Sequence, residues 1–453
     1  MRLLRTLATT ASVGALGLAL APTASAAAPA DSVAYLADRL ADGGDRLTVE
    51  SGGQTFDDLG LTIDGVLGMS AAGSGGDASA AATDYVVANA GTYYGYGDEV
   101  YSAATAKLLT FASARGLDPR SLGGVDLVAQ LQSLEDADGR FSDQSQWGDY
   151  SNTLGQAFGV IGLTRAGATP STASVETLLS QQCDDGGFSL EFADGCVSDP
   201  DATSLTVQAL DVVGGQEAVV QEAADYLESR QGSDGGVGGG ATTEGANSNS
   251  TGLAAVAFRL AGRDDARASA LGYVDALTFD CATPALAGGI AYNRADFDAA
   301  VAKGASAAPD GTITRSTAQA LLGLTDQSYA TVTSAGQAAA TPDTGCDTPA
   351  PGGDDTDGSG DDGTDGTGTD GTGTDGTGTD GTGTDGTGGS DGTGTGTDTG
   401  AAPQQPEIPA VVQTDGVTAP SAGWPAWALG LGAAATAAGA TLVTRRRVGE
   451  RVR

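Results

Sequence analysis

The chain has 453 residues, a formal net charge of −37 and no histidine. The acidity, with nothing basic clustered in the body of the chain, excludes a nucleic-acid surface, which needs positive charge to displace counterions. Without histidine, Ser-His-Asp and Cys-His catalysis and imidazole-bound zinc are excluded, so any acid–base chemistry falls to carboxylates, Tyr or Lys.

Residues 1–26 read as a secretion signal: Arg2 and Arg5 form a basic start, an apolar stretch follows, and Ala24-Ser25-Ala26 is a small-x-small cleavage site. The folded domain is expected over 27–348. From Asp31 to about Thr325 two kinds of helix alternate. An amphipathic set is expected at Asp31–Asp42, Ala78–Asn89, Val125–Glu135, Thr172–Gln182, Gln216–Arg230 and Asp264–Thr278. A second set, rich in Ala, Gly, Thr and Leu and nearly free of charge past the first turn, is expected at Thr55–Ala71, Glu99–Arg115, Asp149–Arg165, Asp201–Val213, Ser248–Leu260 and Thr314–Thr325. Helices with few charged faces are buried on most sides, and small side chains let them approach closely. The interleaving therefore predicts an all-α fold, an α6/α6 toroid: six helical hairpins in a ring, with the small-residue helices inside and the amphipathic ones outside. Leu47–Glu50 reads as a small hairpin or a loop.

The turns from outer to inner helix carry a repeated signature. They read Tyr93-Tyr94-Gly95-Tyr96-Gly97, Asp138-Gly139-Arg140-Phe141, Asp185-Gly186-Gly187-Phe188, Asp234-Gly235-Gly236-Val237 and, more faintly, Ala287-Gly288-Gly289-Ile290. Glycine supplies the left-handed backbone that ends a helix. The apolar residue after it is expected to plug the gap between neighbouring hairpins.

The Gln182-x-x-Asp185-Gly186-Gly187-Phe188 run, followed about fifteen residues on by a helix start at Asp201-Ala202-Thr203-Ser204, resembles the repeat of protein prenyltransferases and squalene–hopene cyclases. The cobalamin carriers intrinsic factor and transcobalamin have a similar toroid. The resemblance covers roughly Asp31 to Thr325 and implies the fold more than the activity. The Asp-x-Asp-Asp acid motif of the cyclases does not occur, Asp199-Pro200-Asp201 being a partial likeness, and the chain is only 5% aromatic. The zinc of prenyltransferases needs a histidine. The lid domain of the cobalamin carriers has no counterpart before the spacer.

Four cysteines, Cys183, Cys196, Cys281 and Cys346, in an exported chain read as two disulfides. Cys183 with Cys196 would staple the loop after the Gly-Gly-Phe turn, and Cys281 with Cys346 would tie down the end of the fold, although three pairings are allowed. No C-x-x-C spacing points to a metal, and no cofactor is implied.

Residues 349–421 are expected to be a disordered acidic low-complexity spacer, dominated by Gly, Thr and Asp, with an r.m.s. span on the order of 45 Å. A transmembrane helix is expected at 422–444, with Trp424 and Trp427 at the outer interface, and a basic cytoplasmic tail at 445–453, by the positive-inside rule. The Leu-Pro-x-Thr-Gly of a sortase signal is absent. This layout places an extracellular domain at the cell membrane, with association to the cell wall open.

The first turns of the inner helices should gather at one mouth of the ring. The candidate ligand-binding residues there are Tyr94, Tyr96, Trp147, Asp149, Tyr150, Asp199, Asp201, Asn247 and Asn249, with Asp57, Asp58, Asp98, Glu99 and Tyr93 nearby. Asp and Asn are also good helix N-caps. The preferred reading is a non-catalytic binding module for a small molecule such as a corrinoid, or for a glycan. The alternatives are an enzyme of the terpene cyclase or carboxylate glycosidase type, and an adhesion or spacer protein with no small ligand.

Overall fold

The structure, a computed structural model, describes residues 29–51, 53–193, 195–240 and 245–346. The expected signal, spacer, membrane helix and basic tail lie outside the described residues. Among those described, no helix is long and apolar enough to cross a membrane.

Helices alternate between two layers in chain order: α1 (Pro29–Gly43) outside and α2 (Leu59–Ala72) inside, then α3 (Gly76–Tyr94) and α4 (Ser102–Ala114), α5 (Leu127–Ser133) and α6 (Thr153–Arg165), α7 (Thr172–Leu179) and α8 (Pro200–Val213), α9 (Glu217–Arg230) and α10 (Ser248–Ala261). The last unit has two outer helices, α11 (Asp264–Asp275) and α12 (Arg294–Val301), before the inner α13 (Gly311–Ala320), which tightens into a 3-10 turn over Leu321–Leu324. Inner helices pack on their neighbours in the order α2, α4, α6, α8, α10, α13, and α13 packs back on α2. The fold is an α/α toroid.

Burial separates the layers as the composition requires. Almost every residue of α4, α6, α8 and α10 is buried, whereas α9 buries only Val220, Ala223, Ala224, Tyr226 and Leu227. Missing side chains let the inner helices touch: a Cβ at Gly252 of α10 would collide with the backbone of Ala320.

The inner helices start where a side chain can cap them. Asp58, Asn152, Asp199, Asn247 and Asp310 each accept hydrogen bonds from backbone N–H groups of the first turn. Helix α4 has no such residue of its own. Asp143, from the loop before α6, accepts from the Ser102 backbone N at 2.7 Å and from the Ser102 hydroxyl at 2.9 Å. Several expected starts move, Glu99 to Ser102, Asp149 to Thr153 and Thr314 back to Gly311 among them. The helix expected from Thr55 begins at Leu59, because residues 54–57 pair instead as strand β2 (Gln54–Asp57) with β1 (Thr48–Ser51), and Asp58 caps the helix only after that hairpin. The 294–301 helix carries no repeat signature and is legible only in the structure.

Short antiparallel pairs precede three inner helices: β3 (Gly95–Tyr96) with β4 (Glu99–Val100), β5 (Phe188–Ser189) with β6 (Ser198–Asp199), and β7 (Val237–Gly238) with β8 (Ala246–Asn247). In two of them the apolar residue of the turn pairs with the cap of the next helix, Phe188 with Asp199 and Val237 with Asn247. Phe141, Phe188, Val237 and Ile290 are all buried. Their backbone N–H groups donate to Gln156, Thr203, Thr251 and Thr317 of the inner helices. The turn glycines have positive φ, 90° at Gly139, 87° at Gly186, 90° at Gly235 and 80° at Gly288. A Cβ on any of them would strike the backbone of the following outer helix: Ala173 of α7, Glu222 of α9, Ser269 of α11 and Asp31 of α1. The last of these contacts closes the ring, reinforced by the Ser32 hydroxyl donating to Gly288 O at 2.8 Å.

Both disulfides are present, Cys183–Cys196 and Cys281–Cys346. The second ends a segment, 325–346, that crosses the mouth formed by the C-terminal ends of the inner helices. Arg165 donates to the carbonyls of Tyr329 and Val332 at 3.0 and 2.6 Å, and Arg115 donates to Gln337 at 2.9 Å. Tyr329 enters the ring against Phe158, with ring centroids 4.9 Å apart. This mouth is closed.

Two stability outcomes follow. Phe188→Ala should cost about 3–5 kcal/mol, read as a lower denaturant midpoint, because nothing can collapse into the gap between hairpins. Replacing both Cys281 and Cys346 by Ser should cost about 4 kcal/mol by loss of the loop constraint, and limited proteolysis should then cut within 325–346.

Candidate functional site

The lumen is nearly filled. A cavity of about 10 Å³ remains between Phe158, Leu205, Leu253 and Tyr329 on the apolar side and Asp64, Lys107, Asn249 and Gln319 on the polar side. That is room for about one water molecule, against several hundred Å³ for a typical ligand pocket. The polar side chains form a chain across four inner helices. Lys107 Nζ pairs with Asp64 Oδ1 at 2.6 Å, both side chains being at most 5% exposed. Gln319 donates to Asp64 Oδ2 at 3.3 Å, and Asn249 donates to Gln319 at 2.7 Å.

The expected binding residues divide into two groups. Asp199, Asp201, Asn247 and Asn249 are all buried. Asp199 and Asn247 cap α8 and α10, while Asn249 belongs to the lumen chain. These four are not on the accessible rim. Tyr96, Trp147 and Tyr150 are, at 52%, 48% and 37% exposure. Tyr94 is half-buried at the foot of the same hairpin.

Tyr96 stands on the β3–β4 hairpin, and Trp147 and Tyr150 stand on the loop before α6, which is held firmly. Gln144 bridges to Val100, and Glu99 Oε2 accepts from the hydroxyls of Tyr101 at 2.7 Å and Ser145 at 3.1 Å. The Tyr150 hydroxyl donates to Trp147 O at 2.9 Å. Asp143 Oδ2 accepts from Tyr150 N at 3.2 Å, and Asp149 Oδ1 accepts from the backbone N of Asp143 at 2.9 Å and of Ser151 at 3.0 Å. Asp149 Oδ2 pairs with Arg140 at 2.8 Å, and the same guanidinium lies over the Phe192 ring, 4.4 Å from its centroid. Arg140 thereby joins the aromatic loop to the disulfide-stapled loop, where a surface groove of about 420 Å³ runs past Ser180, Gln181, Ser189 and Phe192.

The electrostatics follow from these contacts. Burial raises Asp149 but is outweighed by the two backbone donors and Arg140, so its pKa is lowered. Burial raises Asp143 and Glu191, and Asp149 adds to the rise at Asp143 while Arg140 opposes it at Glu191. No group of three or more acidic or Cys side chains among the described residues is arranged to hold a metal ion. Arg140 was visible within the Asp-Gly-Arg-Phe turn. Asp143, Glu191 and Phe192 had no local signal, and neither did the lumen pair of Asp64 and Lys107.

No protein-family profile and no curated protein matches this chain. Solved structures are similar in fold. A protein from Actinoplanes is 20% identical, covering 67% of this chain and 98% of its own, with a TM-score of 0.48. A type II terpene cyclase from Scytonema, solved with geranylgeranyl dihydroxybenzoate, is 15% identical over 67% and 98%, with a TM-score of 0.48. A glycosidase is 13% identical over 66% and 98%, with a TM-score of 0.43.

A pH outcome tests the rim. A carboxyl with a lowered pKa contributes stability that is present above its ordinary value, 3.8 for Asp149, and is lost as pH falls through the folded value. Asp143, being raised, acts in the opposite sense as it takes up its proton. As pH falls below about 3.8, the Trp147 fluorescence of the wild type should shift toward that of an unconstrained loop. Asp149→Asn should abolish this transition while leaving that of the ring in place.

Proposed function

We propose that the protein is a non-catalytic binding module, exported and displayed at the cell surface on its acidic spacer, that holds a glycan on the aromatic rim of the toroid. The observation that carries this reading is the placement in solvent of Trp147 and Tyr150 on a braced loop and of Tyr96 on the β3–β4 hairpin, while the lumen has room for about one water. Flat amphipathic rings stack on the apolar face of a sugar, and the groove past Gln181 and Phe192, joined to their loop through Arg140, offers donors and acceptors to its hydroxyls. An acidic chain favours a neutral or basic glycan over an anionic one. The secretion signal, spacer and membrane helix read in the sequence supply export, reach and anchorage.

The glycosidase reading keeps one supporting feature: Asp149, lowered, and Glu191, raised, both feel Arg140, as an acid and a base should differ. Both oxygens of Asp149 are engaged in bracing the loop, which favours binding over chemistry. A terpene-cyclase reading would need a lumen large enough for an isoprenoid.

The test is calorimetry and ligand-dependent melting across cell-wall glycans, corrinoids and polyprenyl lipids. A glycan at about a hundredfold its Kd should add about 2.7 kcal/mol of stability. Trp147→Ala should weaken its binding at least about tenfold, the loss of a single stacked anchor, without lowering the unliganded midpoint. Release of reducing sugar that is lost in Glu191→Gln would establish the enzyme instead. A flat response to every glycan would leave a spacer or adhesive role.

A further inference from the structure

The pair at the centre of the lumen is in direct contact. Lys107 Nζ lies 2.6 Å from Asp64 Oδ1, on adjacent inner helices, with side chains 2% and 5% exposed. A buried ion pair recovers little of the solvation it gives up unless every remaining donor and acceptor is satisfied. Among the described residues the ammonium, with three N–H groups, meets Asp64 and the Gly60 carbonyl at 3.2 Å. The other carboxylate oxygen, Oδ2, accepts from Gln319 Nε2 at 3.3 Å.

We propose that Asp64 and Lys107 condense into a side-chain amide that covalently joins α2 to α4. The hydrogen-bonded contact lets one ammonium proton pass to the carboxylate, giving a neutral amine and a carboxylic acid. Nζ then attacks Cγ. The new bond is Nζ–Cγ, and the bond that breaks is Cγ–Oδ1. Oδ1 leaves as water, carrying the acid proton and one proton from the amine, so no oxidant, reductant or activating group is consumed. Three features of the site favour the product. The amide needs one acceptor for its N–H and one donor for its C=O, and Gly60 O and Gln319 Nε2 already stand there. The cavity of about 10 Å³ bordering both groups can receive the departing water. Condensation also removes two desolvated charges from an interior lined by Phe158, Leu205 and Tyr329. This cross-link is independent of what the rim binds.

The experiment is peptide mapping of the purified full-length protein after reduction and denaturation. The expected result is a single looped tryptic peptide, residues 47–115, carrying both Asp64 and Lys107, lighter than its linear sequence by one water, with no cleavage after Lys107. Cleavage after Lys107 and recovery of residues 47–107 as one peptide at its full sequence mass would overturn the proposal. Lys107→Arg, which keeps the charge but cannot form this amide in the same place, should give the Asp64 peptide at its full mass. If that variant does not fold, the wild-type map decides alone.

Discussion

The close approach of four signature glycines to the backbone of the next outer helix is the contact on which the ring depends. A helical hairpin of this kind has no means of covering its own apolar face. Its neighbour must arrive at one distance and one angle, and a backbone-on-backbone contact sets both with little tolerance. Gly139, Gly186, Gly235 and Gly288 each meet a helix of the following hairpin, and the last meets α1. Because the final contact returns to the first helix, no open end remains to be capped. The apolar residue that follows each glycine then drops into the seam and hands its N–H to an inner helix.

This construction places variation outside the seam. The turns must keep their glycine and their plug, but the loop between plug and inner-helix cap is free to lengthen. In the unit before α6 that loop carries Trp147 and Tyr150, and in the unit before α8 it carries Phe192 and a disulfide. The same stretch also serves the fold, since Asp143 caps α4 from one hairpin away. Asp143 and Asp149 are therefore bracing residues whose carboxyls differ in proton affinity because one is buried and the other is paired with Arg140.

The interior took a different course from a ligand-holding ring. Segment 325–346 closes one mouth, and Tyr329 enters the lumen from it. Arg115 and Arg165, near the C-terminal ends of α4 and α6, satisfy its backbone and side-chain acceptors, where cations also suit the helix dipole. With the middle of the ring occupied by Phe158, Tyr329 and the polar chain, the accessible surface is the outer face of the turns.

The sequence by itself determined the alternation of layers and the turns, because each rests on local chemistry; it allowed three cysteine pairings, and the structure holds Cys183–Cys196 and Cys281–Cys346. Charge-poor Ala- and Gly-rich stretches such as Ser248–Ala261 can only be interior, and an Asp-Gly-Gly-Phe run can only end a helix and begin a seam. It also singled out Tyr96, Trp147, Asp149 and Tyr150, whose neighbours in the chain define their loop. Only the tertiary structure decided which capping residues face solvent. Asp199 and Asn247 have the same local signature as any exposed cap, yet they are enclosed by adjacent hairpins. Arg140 reaching Asp149 and Phe192, and Lys107 meeting Asp64, join side chains whose partners are set by ring closure and not by spacing along the chain. A local pattern fixes a residue's φ, ψ and cap; which residues meet across a seam is settled only when the ring closes.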